Sequence, residues 1–121
     1  MSEEDYCAIE LDETRPFEKS TKTDSGICIV ENESSMQTDV KGGPDPDGSY
    51  DYGLFQINDR YWCSAGNTPG KGCNLRCSDL LSDDITHAAR CAMQIYRQQG
   101  LTAWTAWNEK CKKNKLQKLN C

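Results

Sequence analysis

Eight cysteines in a chain of 121 residues constrain this protein more than any other feature of its sequence. An even number in so short a chain is typical of a disulfide framework formed in an oxidising compartment. The alternatives are free buried thiols or a zinc site. A zinc site is disfavoured because no CxxC pair occurs, Cys73 and Cys77 are four positions apart, and His87 is the only histidine. We therefore expect four disulfides and a secreted, extracellular protein.

The length of the chain and its N-terminal segment also fit a small secreted protein. A chain of 121 residues suits one domain. The segment Met1–Asp5 is acidic and no apolar stretch follows it, so we interpret the sequence as a mature chain without a secretory signal. No apolar run approaches the roughly 20 residues that a membrane span needs. The net charge of −5 disfavours nucleic-acid binding, which needs a positive surface.

Apolar periodicity and helix-ending residues predict four helices. A weak pattern over 8–15 ends at Pro16, and a second helix is predicted over 27–36. The strongest pattern begins at an N-cap at Ser82 and ends at Gly100. A last helix is predicted over 102–113, with Trp104 and Trp107 on one face.

The middle of the chain instead predicts β structure and loops. Residues 42–50 are dense in glycine, proline and aspartate, which favours a hairpin or a loop. The following aromatic and aliphatic residues predict a strand through Ile57 with Asp51 at its start. Residues 59–79 contain three cysteines and three glycines, and are expected to be irregular chain held by disulfides.

With 19 aspartates and glutamates in the chain, carboxylates can be selected only by their context. Two segments are distinctive, Val30–Ser35 and Asp47–Asn58. At these residues the chain resembles the c-type lysozyme and α-lactalbumin superfamily, and insect-type lysozymes most. The resemblance covers about residues 26 to 121 and continues through Tyr61-Trp62-Cys63, Thr68-Pro69-Gly70, Cys73 to Cys77, Leu80 to Ile85 and Ala103 to Trp107.

The resemblance implies an α+β, lysozyme-like fold. A helical lobe and a small antiparallel β lobe, over about residues 38–82, would enclose a cleft within a single domain of residues 1–121. The implied disulfides are Cys7 with Cys121, Cys28 with Cys111, Cys63 with Cys77, and Cys73 with Cys91.

The resemblance also implies a glycoside hydrolase that acts on bacterial peptidoglycan or chitooligosaccharides, as a monomer without a cofactor. Glu33 would be its general acid and Asp51 its second carboxylate. Such chemistry needs one carboxyl that keeps its proton and one that is ionised. Without the resemblance, Glu33 would be interpreted as a solvated helix residue. We expect Trp104 to supply an apolar wall beside Glu33.

Other residues of the matched segments are assigned to sugar binding or to structure. The expected substrate-binding residues are Ser49, Asn58, Tyr61, Trp62, Ala103 and Trp104. The side chains of Ser49 and Asn58 are also expected to donate hydrogen bonds around Asp51. Aromatic pairs at helical spacing are more often core than ligand platform, and Trp107 is assigned to the core. Gln56 is expected to support the strand.

Several features depart from the family or qualify its properties. The calcium-binding elbow of some members is represented by Asp79, Ser82, Asp84, His87 and Ala88, which lacks two carboxylates, so no metal site is expected. The N-glycosylation acceptor Asn32-Glu33-Ser34 is expected to be silent, because a glycan there would obstruct the cleft.

The negative charge of the chain would repel anionic bacterial walls, which favours a digestive or low-pH setting. Two rival functions remain open. One is a non-catalytic lysozyme-like carbohydrate-binding protein, and the other is a purely structural disulfide scaffold. Both expected carboxylates and the cleft aromatics are present, which favours the hydrolase.

Overall fold

A computed structural model describes residues 25–111 of the chain. The elements are helix α1 (Ser25–Ser34), strands β1 (Lys41–Gly42), β2 (Asp51–Tyr52) and β3 (Ile57–Asn58), a three-ten helix (Cys77–Leu81), helix α2 (Thr86–Gln99), a second three-ten helix (Leu101–Ala103) and a π-helical turn (Trp107–Cys111). This confirms the α+β class. The helix expected over 8–15 lies outside the described residues. Within them, no helix is long and apolar enough to cross a membrane.

Helix α1 places Glu33 at its second-to-last position. Its apolar residues Ile29 and Val30 are fully buried, and their burial anchors the helix. The helix ends two residues earlier than the predicted 36, because Ser35 and Met36 have φ angles of 55° and 64°. These left-handed conformations do not continue a right-handed helix.

The three short strands form one antiparallel sheet in the order β1-β2-β3. Asp51 pairs with Gly42 on one side and with Asn58 on the other. The turn-rich residues between β1 and β2 are therefore a hairpin loop, as predicted. The predicted single strand is wrong, since positive φ angles at Gly53 and Gln56 turn the chain between β2 and β3.

Helix α2 ends at Gly100 as predicted, with a φ of 76° and its N–H donating to the carbonyl of Tyr96 at 2.7 Å. Its predicted N-cap at Ser82 is wrong. The Ser82 hydroxyl accepts the N–H of Asp84, whose carboxylate in turn accepts the N–H of Thr86. These two local turns delay the start of the helix to Thr86.

The helix predicted over 102–113 is confirmed only in part, since residues 105–111 are helical but Trp104 is not. The chain forms the second three-ten helix, becomes extended at Trp104 (φ −100°, ψ 122°) and only then enters the π-helical turn. Trp104 and Trp107 therefore do not share a helix face. Trp104 is buried, whereas Trp107 packs half-buried against the core.

Three disulfides hold these elements, Cys28–Cys111, Cys63–Cys77 and Cys73–Cys91, in the expected pairing. Cys7 and Cys121 lie outside the described residues. The irregular character expected for 59–79 is confirmed up to Cys77, where the first three-ten helix begins. The division into two lobes near residues 38 and 82 stays a prediction.

Candidate active site

A cavity of about 410 Å³, which we call the inner cavity, lies between helix α1, the sheet and the segment after helix α2. Its lining residues are Glu33, Asp45, Asp51, Gln56, Ile57, Asn58, Trp62, Ile95, Gln99, Ala103, Trp104 and Thr105. A second cavity of about 470 Å³, which we call the outer cavity, shares several of these residues and adds Pro46, Asp47, Ser49 and Tyr61. Because they share walls, the two cavities form one cleft. All eight residues predicted for catalysis and substrate binding line it.

Glu33 projects from the end of helix α1 into the inner cavity. Burial raises the pKa of its carboxyl to about 7, and the nearby charges of Asp51 and then Glu109 add to this shift. A half-buried carboxyl with such neighbours holds its proton at pH values where most glutamates have lost it.

Asp51 begins strand β2 and faces the same cavity. Burial, followed by a side-chain hydrogen bond with Asp45, raises the pKa of Asp51 to about 6, and the charges of Asp45 and Asp59 act in the same direction. The amide of Asn58 donates to Asp51 Oδ1 at 3.0 Å and opposes this rise. Asp51 therefore ionises at lower pH than Glu33.

The strand pairing explains how Asn58 reaches Asp51, since the two residues are directly opposite each other in β2 and β3. Ser49, expected to form hydrogen bonds around Asp51, is part of the same network. The Ser49 hydroxyl donates to Asp47 and accepts from Asn58 Nδ2 at 2.8 Å. Ser49 therefore helps to position Asn58 for its contact with Asp51.

Aromatic side chains form the apolar walls of the cleft. Trp62 is buried and lines both cavities. Its ring packs on Gly72, where a Cβ would approach to 2.6 Å. Tyr61 is 60% exposed at the outer cavity, with the Arg60 guanidinium 5.3 Å from its ring centroid. Flat, partly apolar faces of this kind suit the faces of sugar rings.

Trp104 lines the inner cavity together with Glu33, as expected for an apolar wall. Ala103 is exposed and lines both cavities. The structural assignment of Gln56 is supported, because its side-chain amide donates to the carbonyls of Val40 and Gly53 at 3.2 and 3.0 Å. These bonds hold the turn between β2 and β3 against β1.

Sequence reasoning missed Asp45, Gln99 and Thr105, which also line the inner cavity. For Asp45 the sequence held no signal, because its position depends on the pairing of Gly42 with Asp51, which only the structure shows. For Gln99, at the last position of helix α2, and for Thr105, just after the extended Trp104, no local pattern indicated a place in the cavity wall. In the span 25–111, no group of three or more histidine, cysteine or acidic residues is arranged to hold a metal ion.

Comparison with known proteins agrees with this geometry. A model of the C-type lysozyme/alpha-lactalbumin family matches residues 7–121. The chain belongs to this family. It is 55% identical over 85 residues to a lysozyme of Antheraea mylitta, covering 70% of this chain and 71% of that protein. It is 51% identical over 90 residues to a lysozyme of Galleria mellonella, covering 74% of each.

A solved structure supports the fold directly. The crystal structure of a lysozyme from Litopenaeus vannamei superposes with a TM-score of 0.66 at 45% identity, covering 74% of this chain and 71% of that one. The relatives named above are lysozymes, so within its family the chain is a lysozyme enzyme. The expected resemblance to insect-type lysozymes is confirmed.

Proposed function

We propose that the chain hydrolyses the β-1,4 linkage between N-acetylmuramic acid and N-acetylglucosamine in bacterial peptidoglycan. The observation that carries this proposal is the pair of carboxyls in one cavity, Glu33 with a pKa of about 7 and Asp51 with a pKa of about 6. At a pH between these two pKa values, the Glu33 carboxyl holds its proton while the Asp51 carboxyl is ionised. The same division of roles is established for lysozymes generally.

In the proposed reaction, Glu33 donates its proton to the glycosidic oxygen as the bond from that oxygen to the anomeric carbon breaks. The Asp51 carboxylate either stabilises the positive charge that develops at the anomeric carbon or forms a covalent bond to that carbon. Water then attacks this carbon and gives a proton to the Glu33 carboxylate, which restores the acid. Two successive displacements at one carbon retain its configuration.

Sugar binding is proposed for the cleft residues that present flat apolar faces or polar groups. Trp62, Tyr61 and Trp104 would pack against sugar rings. Ser49, Asn58 and Ala103 would place polar side-chain or main-chain groups along the chain of sugars. The shared walls of the two cavities support this, since a polymer needs a continuous groove. Chitooligosaccharides would occupy the same groove.

We also propose that the protein is secreted as an extracellular, antimicrobial monomer. Its disulfides support an oxidising compartment. The digestive or low-pH setting expected from the net charge stays a prediction, and the raised pKa of Asp51 points towards neutral pH instead. A pH profile distinguishes the two settings.

The first experiment measures clearance of a peptidoglycan suspension across pH and salt by the parent, Glu33→Gln and Asp51→Asn. Circular dichroism and chitooligosaccharide binding are measured in parallel to show that each protein is folded. The parent is expected to clear the suspension, and removal of the acid typically costs about 10²–10⁴-fold in rate. Cleavage of a chitooligosaccharide followed by proton NMR would show the β-anomer first.

Failure of clearance has a definite meaning if the parent is folded and binds chitooligosaccharide. That result would overturn the hydrolase and favour the non-catalytic carbohydrate-binding protein. A folded parent that neither clears the suspension nor binds sugar would favour the purely structural scaffold.

A further inference from the structure

Asp45 is a third carboxyl in the catalytic cavity. It lies in the hairpin loop between β1 and β2 and lines both cavities of the cleft. Asn58 Nδ2 lies 3.3 Å from Asp45 Oδ2, 3.0 Å from Asp51 Oδ1 and 2.8 Å from Ser49 Oγ. An amide nitrogen has two hydrogens to offer, so three acceptors compete for them. The contact with Asp45 is the longest of the three.

Two carboxyls drawn to one amide are close enough to repel each other when both are ionised. A proton placed between them removes the repulsion and supplies a further hydrogen bond where three acceptors compete for the two amide hydrogens. Burial is the largest cause of the raised pKa of Asp51, and the hydrogen bond between Asp45 and Asp51 is the second largest. The geometry and the electrostatics therefore agree.

The charged groups around Asp45 and Asp51 do not remove the repulsion between the two carboxyls. On the elements packed around Asp51, the described charged side chains are Glu31, Glu33, Lys41, Asp45, Asp47, Asp59, Arg60, Asp79, Glu109 and Lys110. Lys41 lies over the rings of Tyr50 and Tyr52, at 4.3 and 5.5 Å from their centroids.

Arg60 is engaged elsewhere, since its guanidinium pairs with Asp47 at 3.0 Å. Hydrogen bonds from Ser49 and Arg60 lower the pKa of Asp47 to about 2, so Asp47 stays ionised. Asp59 accepts the N–H of Tyr50 and the hydroxyl of Tyr52. Asp45 is the carboxyl that contacts the same Asn58 amide as Asp51, and it is therefore the partner placed to share a proton with Asp51.

We propose that Asp45 is a positioning residue that shares a proton with Asp51 and thereby sets the lower pH limit of catalysis. This inference rests on the proposed function, in which Asp51 must be ionised. While the shared proton is present, the negative charge of the pair is divided and Asp51 is a weaker partner for the anomeric carbon. Once the shared proton is lost to solvent, Asp51 carries a full negative charge.

The test compares the pH dependence of kcat/KM for the parent, Asp45→Asn and Asp39→Asn on a chitooligosaccharide, whose lack of charge removes wall repulsion. In Asp45→Asn the new side chain is nearly isosteric with the old one, but its amide donates to Asp51 and cannot share an acidic proton. The rising, acid side of the profile is expected to move down by about one pH unit in Asp45→Asn. The falling, alkaline side, which belongs to Glu33, is expected to move much less.

Asp39→Asn is the matched control, because it removes one charge at an exposed position outside the residues that line the cleft. Its profile is expected to follow that of the parent. The proposal is overturned if the acid side in Asp45→Asn moves no further than in Asp39→Asn.

A second measurement does not depend on activity. Carboxyl-carbon NMR of the parent is expected to show Asp51 titrating in two linked steps. In Asp45→Asn, Asp51 is expected to titrate in one step. A single-step titration of Asp51 in the parent would overturn the proton sharing even if the enzyme is active. Linked titration in an inactive parent would leave it standing while the proposed function fails.

Discussion

The indole Nε1 of Trp104 donates a hydrogen bond of 3.1 Å to the main-chain carbonyl oxygen of Phe55, and both groups are buried. The two rings are tilted by 51° with their centroids 6.1 Å apart. This contact joins the segment after helix α2 to the turn between β2 and β3. It therefore fixes the distance across the cleft between the wall beside Glu33 and the sheet that holds Asp51.

Trp104→Phe removes this hydrogen bond and part of the ring volume, and leaves the Phe55 carbonyl buried without its donor. We expect the free energy of unfolding to fall by about 2–3 kcal/mol. Urea denaturation measures this change. Trp107→Phe is the comparison, because Trp107 is half-buried at the edge of the core, and its loss of stability is expected to be smaller. Equal losses would contradict the structural importance of the bond.

The pH dependence of catalysis follows from the two carboxyls of the cleft. Activity on a chitooligosaccharide should rise as Asp51 ionises near pH 6 and fall as Glu33 loses its proton near pH 7. The result would be a bell-shaped profile of kcat/KM with its maximum between these values. An optimum well below the pKa of Asp51 would contradict this assignment and support the low-pH setting.

Gly53 is required by the fold at the turn after β2. Its φ of 75° lies in the left-handed region, and a Cβ there would approach the Leu80 carbonyl oxygen to 2.0 Å. Gly53→Ala is therefore expected to lower the free energy of unfolding by about 3 kcal/mol or more.

Gly48→Ala separates backbone strain from crowding in this comparison. Gly48 has a φ of 85°, but a Cβ there would meet nothing within 4 Å. Its expected cost is only about 1–2 kcal/mol, from strain alone. The difference between the two urea midpoints measures the crowding against Leu80, and similar midpoints would show that the crowding is relieved.

The sequence predicted the parts of this fold that local patterns determine. The buried apolar residues of α1, the glycine that ends α2 and the turn-rich hairpin loop each have a direct local cause. The start of α2 was not predictable in this way. Ser82 and Asp84 are both good capping residues, but each accepts a hydrogen bond in a local turn, and the N-cap position belongs to Ile85.

Which predicted residues meet in the cleft followed from the sequence more fully than their contacts did. The family resemblance selected Glu33 and Asp51 among 19 acidic residues, and the structure places both in one cavity. The hydrogen-bond partners of Asp51 were only half predicted. Asn58 is opposite Asp51 in the sheet, whereas Asp45 approaches it through a loop whose path no periodicity describes.

The sequon at Asn32 is expected to carry no glycan. Asn32 lies inside helix α1, and its side-chain Nδ2, the atom that a glycan would modify, donates to the Cys28 carbonyl at 2.8 Å. Protein secreted from a eukaryotic host should keep its intact mass after treatment with peptide N-glycosidase.

A positive control shows that the same host can modify this chain. Pro69→Ser turns Asn67 into an acceptor in an exposed segment. That variant should lose mass on treatment. A glycan found on Asn32 in folded, active protein would contradict the prediction.

The raised pKa of Glu33 also has a cost for stability. The folded protein holds this proton more tightly than the unfolded chain, whose carboxyl has the ordinary value of 4.5. The associated stability is fully present below pH 4.5 and is lost as the pH rises through about 7. With allowance for solvent screening of a half-buried group, the loss is about 1–2 kcal/mol.

Glu33→Gln removes this ionisation, so its free energy of unfolding should fall less than that of the parent between pH 4.5 and 8, by about 1–2 kcal/mol. The variant would thus lose activity while gaining relative stability above neutral pH. Urea unfolding at several pH values measures the two slopes. Glu31→Gln is the matched control, since Glu31 is exposed on the same helix, and its slope should equal that of the parent. Parallel slopes for Glu33→Gln and the parent would show that Glu33 keeps an ordinary affinity for its proton, and would remove the basis for its role as the acid.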